Sequence, residues 1–472
     1  MSKRSTLRLL AAAAGLALAA APVGAAEWFV APDGDDATGD GSAGKPFRTL
    51  TRVLDTARPV VKAGDTVTVR APPGAPRYEE CNVRLRVKLT LRSAPGERAH
   101  IHCDPATPES VVVRVDPPAS GSRVQGLTLS GSQYYGVVLQ TLWYRGDQER
   151  FGGATDVVLE DLWIHDTGRD GIKLTPKADR ATIRRCRIWN TGALYPAGTP
   201  LDRKNADGID NVNAAGMVVE DCHIHDVATS GLYFKGGARG ALVQRNRIED
   251  AGQAGILVGF DTSEEFFDPK DNPRYHEAIG GVVRNNLVRR TGYAGIGLYA
   301  AADALVANNT LVDTARLGHA AIYFGITFQD WDPRAGRPPS VRPRIVNNLV
   351  LGAGMACIAI RYSDELGGLS ALDGTTGTDH NAFPPGCRYA DARPPRPLPA
   401  VRGLDRWRRH AGVDAHSIER DPDVGDDLRP RAGSPLVDAG IAVDGLSDDL
   451  DGRPRRGAPD IGAFEAPAPE AP

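Results

Sequence analysis

A short strand pattern recurs along this chain at a spacing that suits a stacked coil. The segments Gly171-Ile172-Lys173-Leu174, Gly208-Ile209-Asp210-Asn211, Gly231-Leu232-Tyr233-Phe234, Gly255-Ile256-Leu257-Val258, Gly295-Ile296-Gly297-Leu298 and Ala321-Ile322-Tyr323-Phe324 each open on a small residue and run on as β-prone sequence. Their starts lie 37, 23, 24, 40 and 26 residues apart, a period near 24 with insertions. A second column keeps step: Leu162, Cys186, Cys222, Asn246, Asn286, Asn309 and Asn348. Two residues beyond each stands Ile164, Ile188, Ile224, Ile248, Val288, Leu311 or Val350. Alternate apolar positions mean strands with one buried face. Such a strand buries that face and pairs its backbone only when the next repeat stacks on it. Two synchronous columns predict an all-β fold, a right-handed parallel β-helix solenoid. They disfavour an antiparallel sandwich with coincident spacing.

The asparagine column fits stacked amides that satisfy one another and the turn backbone inside a coil. Cys186 and Cys222 share that column on adjacent rungs, where parallel side-chain vectors favour two buried thiols over a disulfide. Cys81 with Cys103, and Cys357 with Cys387, are close enough in sequence to pair.

The chain has 472 residues and a net charge of −3, which gives no reason to expect nucleic acid or an anionic membrane as partner. Aromatics make up 6%, against 53 glycines and 35 prolines, a mixture suited to short strands and turns. Lys3, Arg4 and Arg8, then apolar Leu9 to Ala21, then Val23-Gly24-Ala25-Ala26, read as a signal peptide over 1–26, too short for a membrane span. The expected product is a secreted or periplasmic monomer, where disulfides persist. Residues 27–465 form one domain. Within it, 27–70 is an N-terminal cap with a short helix from Thr49 to Ala57, and 388–465 is an irregular closing segment. Residues 388–400 are rich in Pro and Arg, and 466–472 read as a disordered tail.

Solenoids place function where one face is elaborated. Insertions at 141–153, 260–278 and 326–342 follow the same strand, and 193–206 precedes it, so long loops should flank one sheet as a groove. They hold Trp143, Tyr144, Phe151, Phe266, Phe267, Tyr275, Phe328 and Trp331, a large share of a small aromatic supply. Aromatic faces stack on sugar rings, though for any one ring, anchoring its own loop is the better reading. Alternation turns Lys173, Asp210, Tyr233, Leu257 and Tyr323 outward as one ladder, with Thr175, Val212, Lys235, Gly259 and Tyr299 as the next. Trp143, Tyr144, Tyr299, Tyr323 and Trp331 are the candidate sugar-binding residues.

Strand propensity gives no reason for charges in these runs. Asp170 and Asp207 occupy one place on adjacent rungs and, with Asp210, form a carboxylate cluster. Such a cluster repels itself unless something positive sits in it. Ca²⁺, held by oxygen ligands at loose geometry, is the natural candidate outside the cell, with Asp202, Asn205 and Asn211 able to add ligands. The plainer reading is that each Asp caps its turn. Lys235 stands one rung on, before Gly236-Gly237. It is the candidate general base, with Tyr233 and Lys173 beside it.

The rungs resemble the pectate-lyase-like β-helix superfamily across most of 27–465. Ala206-Asp207-Gly208-Ile209-Asp210 followed by Phe234-Lys235-Gly236-Gly237 resembles the calcium and base motifs of family 9 polysaccharide lyases. The resemblance implies that Asp170, Asp207 and Asp210 bind Ca²⁺ and that Lys235 is the Brønsted base. The implied reaction is β-elimination on an acidic, uronate-containing polysaccharide. Ala206 stands where that family has another aspartate, and Lys235 falls two residues later along its strand. Asn205 to Asp210 also resembles the first motif of polygalacturonase-type glycoside hydrolases, but Ala228-Thr229-Ser230 stands where their paired aspartates belong. A non-catalytic carbohydrate-binding or adhesive β-helix explains the fold and export but not the central Asp and Lys. His165-Asp166 and His223-Ile224-His225-Asp226 could suggest Zn²⁺, but repeat position marks His165 and His225 as turn residues.

Overall fold

The computed structural model describes residues 24–141, 152–327 and 336–467. Most of the expected signal peptide and tail, and Trp143, Tyr144, Phe151, Phe328 and Trp331, lie outside the described residues.

Each rung gives one strand in turn to each of several parallel sheets. One rung runs Leu232–Lys235, Ala238–Arg239, Leu242–Gln244 and Arg247–Ala251. Three sheets have twelve strands, and a fourth of five strands follows the same succession in the middle of the chain. The repeats pair in register: Ile172 with Ile209, Ile209 with Leu232, Leu232 with Ile256, Ile256 with Ile296, and Ile296 with Ile322. All six side chains are fully buried. Each contributes about 1.5–3 kcal/mol of apolar transfer to one continuous core. This is the parallel β-helix that the columns predict. A further rung, opened by Gly136, precedes them, with Val137 paired to Ile172. The glycines opening the rungs are required by space. A Cβ on Gly208 or Gly231 would overlap the next rung's carbonyl and an inward isoleucine, Ile224 or Ile248.

One corner of the coil is built from residue pairs. An outward residue with positive φ, such as Asn285 (52°), Asn308 (52°) or Asn347 (59°), precedes the inward ladder residue. Each ladder amide donates to the next: Asn246 to Asn286 at 3.0 Å, Asn286 to Asn309 at 3.0 Å, and Asn309 to Asn348 at 2.9 Å. Each also donates to a backbone carbonyl of the preceding rung, so every ladder amide is satisfied. The ladder extends one rung beyond the sequence reading, to Asn381. Cys186 and Cys222 are free and buried in the same column. Cys81–Cys103 and Cys357–Cys387 are disulfides.

The N-terminal helix is shorter than expected. It is one turn, Leu50–Val53, capped by Thr49, whose Oγ1 accepts the Arg52 N–H at 3.0 Å. Asp55 then takes the Ala57 N–H at 2.8 Å, a local bond that competes with helix, and Pro59 follows. Leu50 and Val53 join the core of the coil. The closing segment is more regular than its composition suggests. Arg388–Asp391 is a strand of the sheet that carries Lys173 and Asp210, Leu398–Arg402 pairs back on it, and Leu404–Ala411 is a helix. The inward Tyr389, fully buried, carries the alternation that the surrounding Pro and Arg hide. Residues 436–465 then run back along the coil. Asn347, Asn308 and Asn285 donate to the carbonyls of Ile441, Asp460 and Asp448. Among the described residues no helix is long and apolar enough to cross a membrane.

Candidate functional site

A pocket of about 420 Å³ lies on the outer face of the strands Ile172–Leu174, Ile209–Val212 and Leu232–Lys235. Lys173, Asp210, Tyr233 and Lys235 line it. Asp170 and Asp207 stand where the chain enters those strands, one rung apart, and are buried. Their backbone and carboxyls interlock along the stack. The Asp207 N–H donates to Asp170 Oδ1 at 2.9 Å. Asp207 Oδ1 accepts from the Thr229 hydroxyl at 2.8 Å and from the Ser230 N–H at 2.7 Å. Thr229 and Ser230 thus support Asp207 at the position where a hydrolase would carry its acidic pair.

Turn capping uses only part of this cluster's hydrogen-bonding capacity. One oxygen of Asp170 and one of Asp207 accept backbone N–H groups, and Asp210 Oδ2 faces Lys173, while Asp170 Oδ2 and Asp210 Oδ1 are buried without a hydrogen-bond partner. Oxygens of Asp170, Asp207 and Asp210 lie within 4.8 Å of one another. Lys173 pairs with Asp210. Burial opposes the lysine's charge, but Asp210 and Asp170 outweigh it and raise its pKa. Burial, then Asp210, pushes Asp207 up to about 6 and raises Asp170 well above the usual carboxylate range. Ionised together, three carboxylates against one ammonium would leave two negative charges, and two of their oxygens lack a donor. The residues present fit a divalent cation.

Lys235 reaches the pocket from the next strand. Its Nζ donates to the Asp261 carbonyl at 3.0 Å and lies 4.5 Å from the centre of the Tyr233 ring. Tyr233 is buried beside the carboxylates; burial first, and the charges of Asp207, Asp210 and Asp170 second, hold its pKa up. The turn after Lys235 is fixed by a residue that sequence reading missed. Glu277, fully buried, accepts the Gly236 N–H at 2.9 Å, the Thr262 hydroxyl at 2.6 Å and the Arg337 guanidinium at 3.3 Å. Burial pushes its carboxyl up to about 7. Gly236 and Gly237 have φ of 68° and 90°, so that turn needs glycine.

Of the further ligands expected, Asn205 lines the pocket rim. Asp202 is exposed in the short helical turn Leu201–Arg203 and lines no part of the pocket. Asn211 is a correction: it shares the inward column of Leu174 and Phe234, and its amide bonds the Ala214 backbone at 3.0 Å. Tyr299 and Tyr323 do not present open ring faces. Both are buried in an apolar cluster with Leu257 outside the same sheet, and His319 stacks on Tyr323 at 4.0 Å. Phe266 joins the pocket wall, as do Tyr135 and Gln140 from the earlier rung that the repeat alignment omitted. His165 and His225 lie on a different sheet, stacked about Trp189 at 4.4 and 5.9 Å.

A family profile described as the right-handed β-helix region matches residues 118–366, and the chain belongs to that family. No protein of curated function matches it in sequence. Among solved structures it is similar to the pectate lyase Pel9A, with TM-score 0.54 and 14% identity over 94% of this chain and 97% of that one. It is also similar to XylC, solved in complex with xylose, with TM-score 0.55 and 12% identity over 93% of this chain and 98% of that one. At such identity the likeness is one of fold.

Proposed function

We propose that the chain is a secreted polysaccharide lyase that cleaves a uronate-containing polysaccharide by β-elimination, with Lys235 as base. The observation that carries this reading is the convergence of Lys235, Asp210, Tyr233 and Lys173 on one pocket, beside buried carboxylate oxygens that lack a donor. Pel9A, a pectate lyase of the same fold, is consistent with it.

Asp170, Asp207 and Asp210 are the residues that would hold Ca²⁺. When bound there it supplies positive charge beside the pocket, which would favour a uronate carboxylate and make its C5 proton more acidic. The chain's own residues do the rest. Lys173 holds Asp210 in place through their ion pair. The Asp261 carbonyl and the Tyr233 ring fix the Lys235 amine at the pocket wall. Lys235, in its neutral form, takes the C5 proton, the C4–O bond breaks, and the new C4–C5 double bond marks the non-reducing end. Tyr233 or solvent protonates the departing oxygen. A hydrolase needs two carboxyls placed about the glycosidic bond. The three aspartates here lie together and buried, which argues against that alternative.

The test is a panel of polyuronates, pectate and alginate among them, incubated with the mature protein with Ca²⁺ and with EDTA. Unsaturated oligosaccharides in the Ca²⁺ arm are expected, read by ultraviolet absorbance and mass. Saturated products with new reducing ends would instead establish a hydrolase. Binding without any product would leave a non-catalytic module.

A further inference from the structure

A larger cavity than the carboxylate pocket lies at the far end of the coil, about 920 Å³ against about 420 Å³. It is an open depression bordered by the strand Arg388–Asp391, its antiparallel partner Leu398–Arg402, the helix Leu404–Ala411 and the connection that follows the strand Ile358–Ile360. The helix sets the charge pattern. Leu404 and Trp407 anchor it in the core, while Arg406, Arg409 and His410 turn to the cavity. Arg408 is used inside the fold, its Nε donating to the Asp414 carbonyl at 2.7 Å.

The cavity's charges do not cancel. Asp391 is already matched: Arg393 donates to it at 2.9 and 2.8 Å, and His410 Nε2 lies at 3.1 Å. Arg396, Arg406 and Arg409 line the same cavity, are exposed, and have no carboxylate partner among the described residues. Asp373 is the one acid left to oppose them. A chain of net charge −3 thus concentrates guanidinium groups in a single cleft. Guanidinium forks match carboxylates bidentately, and a cleft focuses their field.

Topology joins this cleft to the carboxylate pocket. The segment after the strand Ile256–Val258 supplies Asp261 and Thr262 to the pocket. The equivalent segment after Ile358–Ile360 supplies Tyr362 and Ser370 to the cleft. Both border the same edge of the same sheet, three rungs apart, which is about 15 Å at the spacing of paired strands. We infer that the arginine cleft is a second binding site for acidic polysaccharide, taking carboxylates of the chain whose other units occupy the carboxylate pocket. The inference rests on the proposed polyuronate substrate.

The experiment compares wild type with an Arg406→Ala/Arg409→Ala variant of the full chain, with polygalacturonate and alginate as probes and neutral dextran as control. Both side chains are exposed, so unchanged thermal unfolding is expected. Binding of the polyuronates should weaken about tenfold and lose salt dependence, while cleavage of short oligomers that fill only the pocket stays as in wild type. Undiminished polyuronate binding by the variant overturns the cleft, as does equal binding of dextran. Wild-type binding that the variant loses, with no unsaturated product from either, supports the cleft and removes only the lyase reading.

Discussion

Lys173 and Lys235 lie on adjoining outward columns, yet their surroundings assign them different work. Lys173 is 11% exposed and paired to Asp210, so its charge balances the carboxylate cluster. Removing one member of a buried pair strands the other, at about 3–5 kcal/mol. Lys173→Met should therefore lower the melting temperature, and Ca²⁺ should restore more of it than it adds to wild type. Calorimetry with Ca²⁺ and with EDTA checks this; no destabilisation would mean that the aspartates are balanced some other way. The ladder offers a cleaner residue-scale test. Asn309→Ala leaves the buried Asn286 N–H without its acceptor and takes a side-chain donor from the Val283 carbonyl, while the Asn286 amide keeps the Val243 and Arg284 carbonyls. One or two buried groups left short of a partner cost roughly 1–3 kcal/mol, measurable by denaturant unfolding.

The insertions act as elements because Glu277 ties them together. It joins the Gly236 turn, Thr262 of one insertion and Arg337 of the next. It is a positioning residue: it holds the turn that carries Lys235 and does not itself line the pocket. Glu277→Gln keeps the shape but weakens the bonds to Arg337 and Gly236. Expected is a several-fold fall in kcat with KM little changed, and the fold intact by circular dichroism. The same residue shapes the pH response. Its folded pKa, about 7, lies above the 4.5 of an ordinary glutamate, so the native state holds its proton longer. The stability it contributes is complete below about 4.5 and is lost as pH rises through about 7. Unfolding of Glu277→Gln should accordingly change less across that window than wild type; an unchanged profile would contradict the burial argument.

For the whole molecule, the repeat was legible because each rung obeys the same constraint. One face of every strand must be apolar, and one position must be small enough to pass the next rung's carbonyl. Ile209, Leu232 and Ile256 show the first; Gly208 and Gly231 show the second. The outward ladder Lys173, Asp210, Tyr233 was legible for the same reason. What breaks periodicity was not. Asn211 points inward because alternation, not chemistry, decides its side, and Tyr299 and Tyr323 are covered by neighbours that no column reveals. Glu277 lies at the end of an insertion without internal pattern, and its partners come from distant segments. The rung at Arg388–Asp391 is masked by surrounding Pro and Arg, though Tyr389 keeps the inward position.

The central claim is that Lys235 is the base of an elimination. Its most direct test is the rate at which unsaturated ends form on the best polyuronate, wild type against Lys235→Ala, with Ca²⁺ present. Removing a general base is expected to slow the reaction by about 10²–10⁴-fold, with polymer binding retained. Unsaturated ends forming at an undiminished rate in Lys235→Ala would contradict the account and move the chemistry to another group in the pocket.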